Sequence, residues 1–199
     1  MNELSMLTGQ SVVKEKIKNI LNLAIVQRKR KEVGKKEIKT TRHMVFSGSP
    51  GTGKTTIARI VGKLYASAGI ISKGHFVEAT IDQLTNASNV TENVNRLVDK
   101  AMGGVLFIDE AYILLKTMKG REALDALIPL LENRREEFVC ILAGYKQDMD
   151  DLKKANIGLS SRTKEIEFAD YSPKELQEIL ENIIEGNETF DKRQSCQKA

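Results

Sequence analysis

The feature that most constrains this chain is an eight-residue segment, Gly48-Ser49-Pro50-Gly51-Thr52-Gly53-Lys54-Thr55, set between an apolar run and a helical pattern. Its glycines let the backbone curl until successive N–H groups point into one hollow, and the positive end of the following helix faces the same place. Such a hollow suits phosphate. Lys54 is then placed to reach the β- and γ-phosphates of a nucleoside triphosphate, and the Thr55 hydroxyl to bind Mg²⁺. Gly48, Ser49, Pro50, Gly51, Thr52, Gly53, Lys54 and Thr55, with Thr56 beside them, are the expected nucleotide-binding residues. A turn that merely joins strand to helix would leave most of these matched positions without a reason.

The flanking sequence supplies the strand and helix that this loop requires. His43 to Ser47 reads as a buried strand, and Thr55 to Ser67 as a helix with Ile57, Ile60, Val61 and Leu64 inside. Upstream, Val13, Ile17, Ile20 and Ala24 share one helical face, so a helix is expected over residues 10 to 33, with Gly34 as its stop. Downstream come a strand at Phe76 to Ala79 and a helix at Thr91 to Ala101. Val105 to Ile108 is an unbroken apolar strand of the kind buried on both faces in parallel sheets. A helix over Arg121 to Asn133 is expected to be interrupted by Pro129. A strand at Phe138 to Ala143, a helix near Gln147 to Lys154 and a short strand at Glu165 to Phe168 follow. Ser172-Pro173-Lys174-Glu175 is a capping box with proline at the first helical position, where a last helix starts. Residues after Gly186 are polar and aperiodic and are expected to form a frayed tail. Strands alternating with helices give an α/β fold, a three-layer αβα sandwich on a mainly parallel five-stranded sheet.

Charge and cysteine usage narrow the function classes. Two cysteines, Cys140 and Cys196, are too few and too far apart for a zinc site or a disulfide framework. No run approaches the length of about eighteen apolar residues that a membrane span needs. The N-terminus lacks the pattern of a signal peptide, so a cytoplasmic location is expected. Gln27 to Arg42 holds eight Lys or Arg against Glu32 and Glu37. That stretch reads either as a surface for nucleic acid or as a solvated helix end whose cations complement the helix dipole. No aromatic residues are interleaved for base stacking, so the second reading is favoured and nucleic acid is not an expected partner.

A second motif adds chemistry to the first. Asp109 and Glu110 follow the apolar strand 105 to 108, at the sheet edge where open α/β folds bind ligands. Asp109 is placed to hold Mg²⁺ together with Thr55. Glu110 is placed to act as general base on the attacking water. Acidic residues also end strands for solubility alone; a phosphate loop in the same sheet favours the catalytic reading.

Several blocks together resemble a known family. His43 through Arg59, then Ser72-Lys73-Gly74-His75-Phe76-Val77-Glu78, Gly103 through Tyr112, and Ile141-Leu142-Ala143-Gly144-Tyr145 are similar to blocks of AAA+ ATPases. The group in question contains stage V sporulation protein K and the red-type Rubisco activases. The likeness runs from about residue 3 to residue 180. It implies an ATP-driven ring, expected to be a hexamer of this chain, that remodels an as yet unidentified protein client.

The resemblance also implies roles and exposes departures. Arg162, in Gly158-Leu159-Ser160-Ser161-Arg162-Thr163, matches the arginine finger that reaches a neighbouring subunit's γ-phosphate, while Ser160 stands where the group has another arginine. Gly144 and Tyr145 occupy the place where many AAA+ proteins carry a polar Asn or Thr. Thr8 and Gly9 match the linker that cradles the adenine base. Asn86-Ala87-Ser88-Asn89-Val90 lacks the aromatic of the group's pore loop. In domain terms, residues 1 to 171 correspond to the nucleotide-binding domain, 172 to 186 to the start of a helical lid, and 187 to 199 to a polar, disordered tail. Two other readings stand beside the ATPase: a nucleotide-binding module or partner subunit with little turnover, and a DNA-acting loader of similar core.

Overall fold

The computed structural model describes residues 2–36, 40–86 and 88–196, with side chains described for residues 3–36, 40–86 and 88–184. Five strands, β1 (His43–Ser47), β2 (Phe76–Ala79), β3 (Val105–Ile108), β4 (Val139–Gly144) and β5 (Thr163–Glu167), form one sheet in the order β2-β3-β4-β1-β5. Every pairing is parallel. All C-terminal strand ends therefore share one edge, and this places the loops after β1, β3 and β4 side by side.

Burial sorts the strands as their sequences suggest. All described residues of β1, β3 and β4 are buried, whereas the edge strands β2 and β5 are partly exposed. Side chains alternate between the two sheet faces. Met44, Phe46, Phe107 and Ile141 pack on one side with α1 (Asn2–Met6), α2 (Ser11–Glu32) and α3 (Lys54–Ser67). Val45, Leu106, Ile108 and Leu142 pack on the other, beneath α4 (Ile81–Thr85), α5 (Val90–Lys100), α6 (Met118–Asn133), α7 (Lys146–Ala155) and α8 (Ile157–Arg162). The result is the αβα sandwich.

Some local expectations change. Pro129 does not interrupt its helix; α6 runs from Met118 to Asn133 with the proline inside. Pro129 and Asp125 are both exposed, so the carbonyl that the proline leaves unpaired lies on the solvent side, where water can bond it. The last helix, α9, begins at Pro173 as expected but continues past Gly186 to Cys196 instead of fraying. No proline follows, and its Glu, Lys, Arg and Gln residues favour helix even without periodicity. The short helices α1, α4 and α8 and a 3₁₀ segment at Ala111–Lys116 carry too few residues to show a period. Two of them have capped starts, α4 by the capping box from Thr80 to Gln83 and α8 by Asn156, which accepts the Leu159 N–H at 3.2 Å.

The basic stretch is largely engaged within the fold. Arg28 bonds the Ala68 carbonyl at the end of α3, Lys31 pairs with Glu136 at 2.9 Å, and Arg42 bonds the carbonyls of Ile70 and Glu136 at 3.3 Å. Residues 37–39 of that stretch lie outside the described residues, as does Ala87 of the expected pore-loop position. Next to it, Asn89 caps α5 by accepting from the Glu92 N–H at 3.0 Å. Among the described residues no helix is long and apolar enough to cross a membrane.

Candidate functional site: a phosphate cleft at the sheet edge

The loop after β1 takes its shape from glycines at positions where a side chain would be strained or obstructed. Gly51 and Gly53 adopt φ of 75° and 88°, and Gly48 lies so close to β5 that a Cβ there would sit 2.5 Å from the Phe168 carbonyl oxygen. Inside the loop Thr52 is buried, and its hydroxyl donates to the Ser49 carbonyl at 2.8 Å. The Gly48 N–H donates to the Gly144 carbonyl at 3.1 Å, which ties the loop to the end of β4. The helix α3 starts at Lys54, so its first-turn N–H groups face the hollow without helical partners.

The loop opens onto a cleft of about 400 Å³ that brings Gly51, Lys54, Thr55, Thr56, Asp109 and Glu110 together. Lys54 Nζ donates to the carbonyls of Gly48 and Ser49 at 2.9 and 2.8 Å. Burial lowers the Lys54 pKa, and the Asp109 charge opposes that shift. These neutral carbonyl partners can be exchanged for phosphate oxygens. The cleft thus presents one cation, oriented N–H groups, a hydroxyl and two carboxylates, a set suited to a phosphate–metal ligand.

Glu110 has φ of 49°, a left-handed backbone that is uncommon for a residue with a side chain. Its N–H is held by Asp109 Oδ1 at 3.0 Å. Tyr112, first turn of the 3₁₀ segment, donates its hydroxyl to Glu110 Oε1 at 3.3 Å. The phenol pKa is raised by desolvation and then by the Glu110 charge, so the hydroxyl is a neutral donor. Tyr145 lines the cleft beside Gly144, with its ring centroid 5.9 Å from that of Tyr112.

Arg162 is not in this cleft. It ends α8 immediately before β5, and Thr163 pairs with His43 at the opposite end of β1 from the loop. Four residue steps of strand, about 13 Å, separate the two levels. Its Nη1 donates to the Gly158 carbonyl at 2.9 Å, and its Nε lies 3.5 Å from Glu132 Oε2. Glu132 also takes Arg135 at 2.9 Å. Arg162 therefore does not line the phosphate cleft of its own chain.

The linker before α2 meets the loop and α9. Thr8 donates to Glu178 at 3.1 Å, and Gly9 has φ of 63° with no room for a Cβ beside Glu175. Two residues here carried no signal in the sequence. Gln10, buried and left-handed, donates to the Ala169 carbonyl at 2.6 Å, and Tyr171 donates to the Thr52 carbonyl at 3.3 Å. Both act through long-range contacts, which periodicity does not encode.

Residues 44–171 match the family model described as ATPase family associated with various cellular activities (AAA). Stage V sporulation protein K of Bacillus subtilis is 42% identical over 192 residues, covering 94% of this chain and 60% of that protein. The chloroplastic ribulose bisphosphate carboxylase/oxygenase activase of Cyanidioschyzon merolae is 41% identical over 177 residues, covering 85% of this chain and 60% of that protein. The chain thus spans about 60% of the length of these relatives. Among solved structures, the FIGL-1 AAA domain in complex with ADP superposes with a TM-score of 0.65 at 24% identity, covering 90% of this chain and 59% of that one. With this family match and with relatives 42% and 41% identical over most of its length, the chain belongs to the AAA family of ATPases.

Proposed function

We propose that this chain binds ATP with Mg²⁺ and hydrolyses it to ADP and phosphate, and that the cycle changes the conformation of a protein client. The observation that carries this reading is the convergence of Lys54, Thr55, Asp109 and Glu110 on one cleft. Gly48 to Thr56 hold the triphosphate, with Lys54 on the β- and γ-phosphates. Thr55 and Asp109 offer hard oxygen donors in the same cleft, which fits a Mg²⁺ ion that also takes phosphate oxygens and water. Bound there, the ion would neutralise charge on the β- and γ-phosphates. Glu110 takes the proton of the attacking water.

Arg162 completes the site from a neighbouring subunit. Its position at the far edge of the sheet supports a ring of copies, for which a hexamer is the expected closure. The client is a protein, a reading supported by the relative named as a ribulose bisphosphate carboxylase/oxygenase activase.

Steady-state phosphate release tests the hydrolytic site. Glu110→Gln is expected to lower kcat by about 10²-fold or more while ATP still binds. Turnover unchanged by Glu110→Gln would remove the general base from this scheme. ATP binding with no turnover in the wild type would leave a nucleotide-binding subunit in its place. Mass measured in solution with and without ATP and Mg²⁺ tests the ring, and a monomer under both conditions overturns it.

A further inference from the structure

The corner where β3 and β4 end has an unusual division of labour among its side chains. Glu110 emerges from β3 on a left-handed backbone. Gly144, the last residue of β4, offers only backbone, and its carbonyl already accepts from the first glycine of the phosphate loop. Its lack of a side chain has a steric reason. A Cβ at position 144 would lie 2.8 Å from Cδ1 of Tyr112 and 2.7 Å from the Met149 sulfur. Met149 is fully buried, so that sulfur has little room to retreat. The Tyr112 ring occupies the space a residue on β4 would otherwise use.

The ring is fixed on its other sides as well. Tyr145 packs against it at 5.9 Å between centroids, and Lys116 Nζ lies 5.0 Å from its centre. The 3₁₀ segment anchors its backbone through the Ile113 N–H to the Glu110 carbonyl at 2.9 Å. So held, Tyr112 carries its hydroxyl to Glu110 Oε1 at 3.3 Å. A glutamate side chain has three torsions to restrict, and a phenol with few of its own restricts them at small entropic cost.

We propose that Tyr112 is the positioning residue for Glu110: its hydroxyl holds the carboxylate toward the cleft, and the bare Gly144 exists to admit its ring. The proposal rests on the reading of Glu110 as general base. Tyr112 does not line the cleft itself and acts only through Glu110. The polar group that β4 cannot supply at this corner is thereby supplied from the segment after β3.

The test is a kinetic cycle on the full chain, with ATP turnover, the affinity of a fluorescent ATP analogue and thermal melting read for each variant. Tyr112→Phe keeps the ring against Gly144 and removes one oxygen. It is expected to lower kcat roughly tenfold, the scale of a hydrogen bond to a charged group. KM, analogue affinity and melting temperature stay at wild-type values. Gly144→Ala displaces the ring and lowers kcat by no more than Tyr112→Phe does. In the double variant Gly144→Ala costs little beyond Tyr112→Phe, because both act on the same hydroxyl.

Wild-type kcat in Tyr112→Phe overturns the proposal, and so does full additivity in the double variant. Loss of analogue affinity in Tyr112→Phe also overturns it, since that would place Tyr112 in binding. If Glu110→Gln abolishes turnover but Tyr112→Phe leaves it intact, only this inference fails. If the wild type shows no turnover, the hydrolytic reading fails with it.

Discussion

The two edges of the sheet are built from the same strands and treat their polar groups in opposite ways. At the C-terminal edge Lys54 rests on two backbone carbonyls, the loop N–H groups face an open cleft, and Glu110 is held by one phenol. At the N-terminal edge the polar groups are closed on one another. His43, fully buried, donates Nε2–H to the Leu131 carbonyl at 2.8 Å and accepts the Cys140 N–H on Nδ1 at 2.9 Å. Glu132, next to Leu131, takes Arg135 and Arg162, and Thr41 bonds the Arg162 carbonyl. The first edge keeps contacts that a ligand can exchange; the second fixes the geometry of the sheet. Arg162 is the exception, a group at the closed edge whose proposed work lies on a neighbour.

The contrast can be broken most directly at Arg162. Arg162→Ala is expected to lower ATP turnover by about 10³-fold, the lower end for an arginine finger, while ATP affinity stays within about threefold. Equal loss of affinity and turnover would place Arg162 in its own subunit's folding and not in a neighbour's chemistry. Lys54→Ala should do the reverse, weakening ATP binding by roughly 10²-fold with the melting temperature of the nucleotide-free protein preserved. Titration calorimetry and melting curves separate these outcomes.

The closed edge should declare itself through acid. Burial pushes the His43 pKa from 6.5 down to about 4, so the folded chain binds fewer protons than the unfolded one between those values. The stabilisation is fully present above about pH 6.5 and is lost as pH falls toward 4, on the order of 3 kcal/mol at about 1.36 kcal/mol for each pH unit. Denaturant unfolding from pH 7 to 4.5 checks this, with His43→Gln expected to be less stable at pH 7 and flatter across the range. The smallest effect is at Glu132. Its pairs are partly exposed, so Glu132→Gln should cost under about 1 kcal/mol and change turnover by no more than about threefold. A turnover gain well beyond that would mean that Glu132 restrains Arg162.

Legibility followed the range of the interaction. Gly48 to Thr55 could be read because strand, turn and helix are consecutive, and Asp109 and Glu110 because an apolar strand leads straight into them. Ser172 and Glu175 also announced their helix, and the structure closes that box at 2.8 Å from the Ser172 N–H to Glu175. Pro129 misled because local propensity does not report which helix face a residue occupies, and an exposed proline is tolerated where a buried one is not. Gln10 and Tyr171 drew no role from their neighbours in sequence, since each acts on a residue whose place is set by another element. Tyr112 lies two residues from Glu110, but the packing of its ring against Gly144 and Tyr145 is not written in that spacing.

By itself the sequence determined the parallel α/β fold and the phosphate loop, because hydrophobic period and glycine spacing act over a few residues. It also put the paired carboxylates at the end of β3. Only the tertiary structure decided that Arg162 lies a strand's length from the loop, and that a Cβ at Gly144 would run into the Met149 sulfur and the Tyr112 ring. Those facts depend on strand order and side-chain packing, where residues far apart in the chain compete for the same volume.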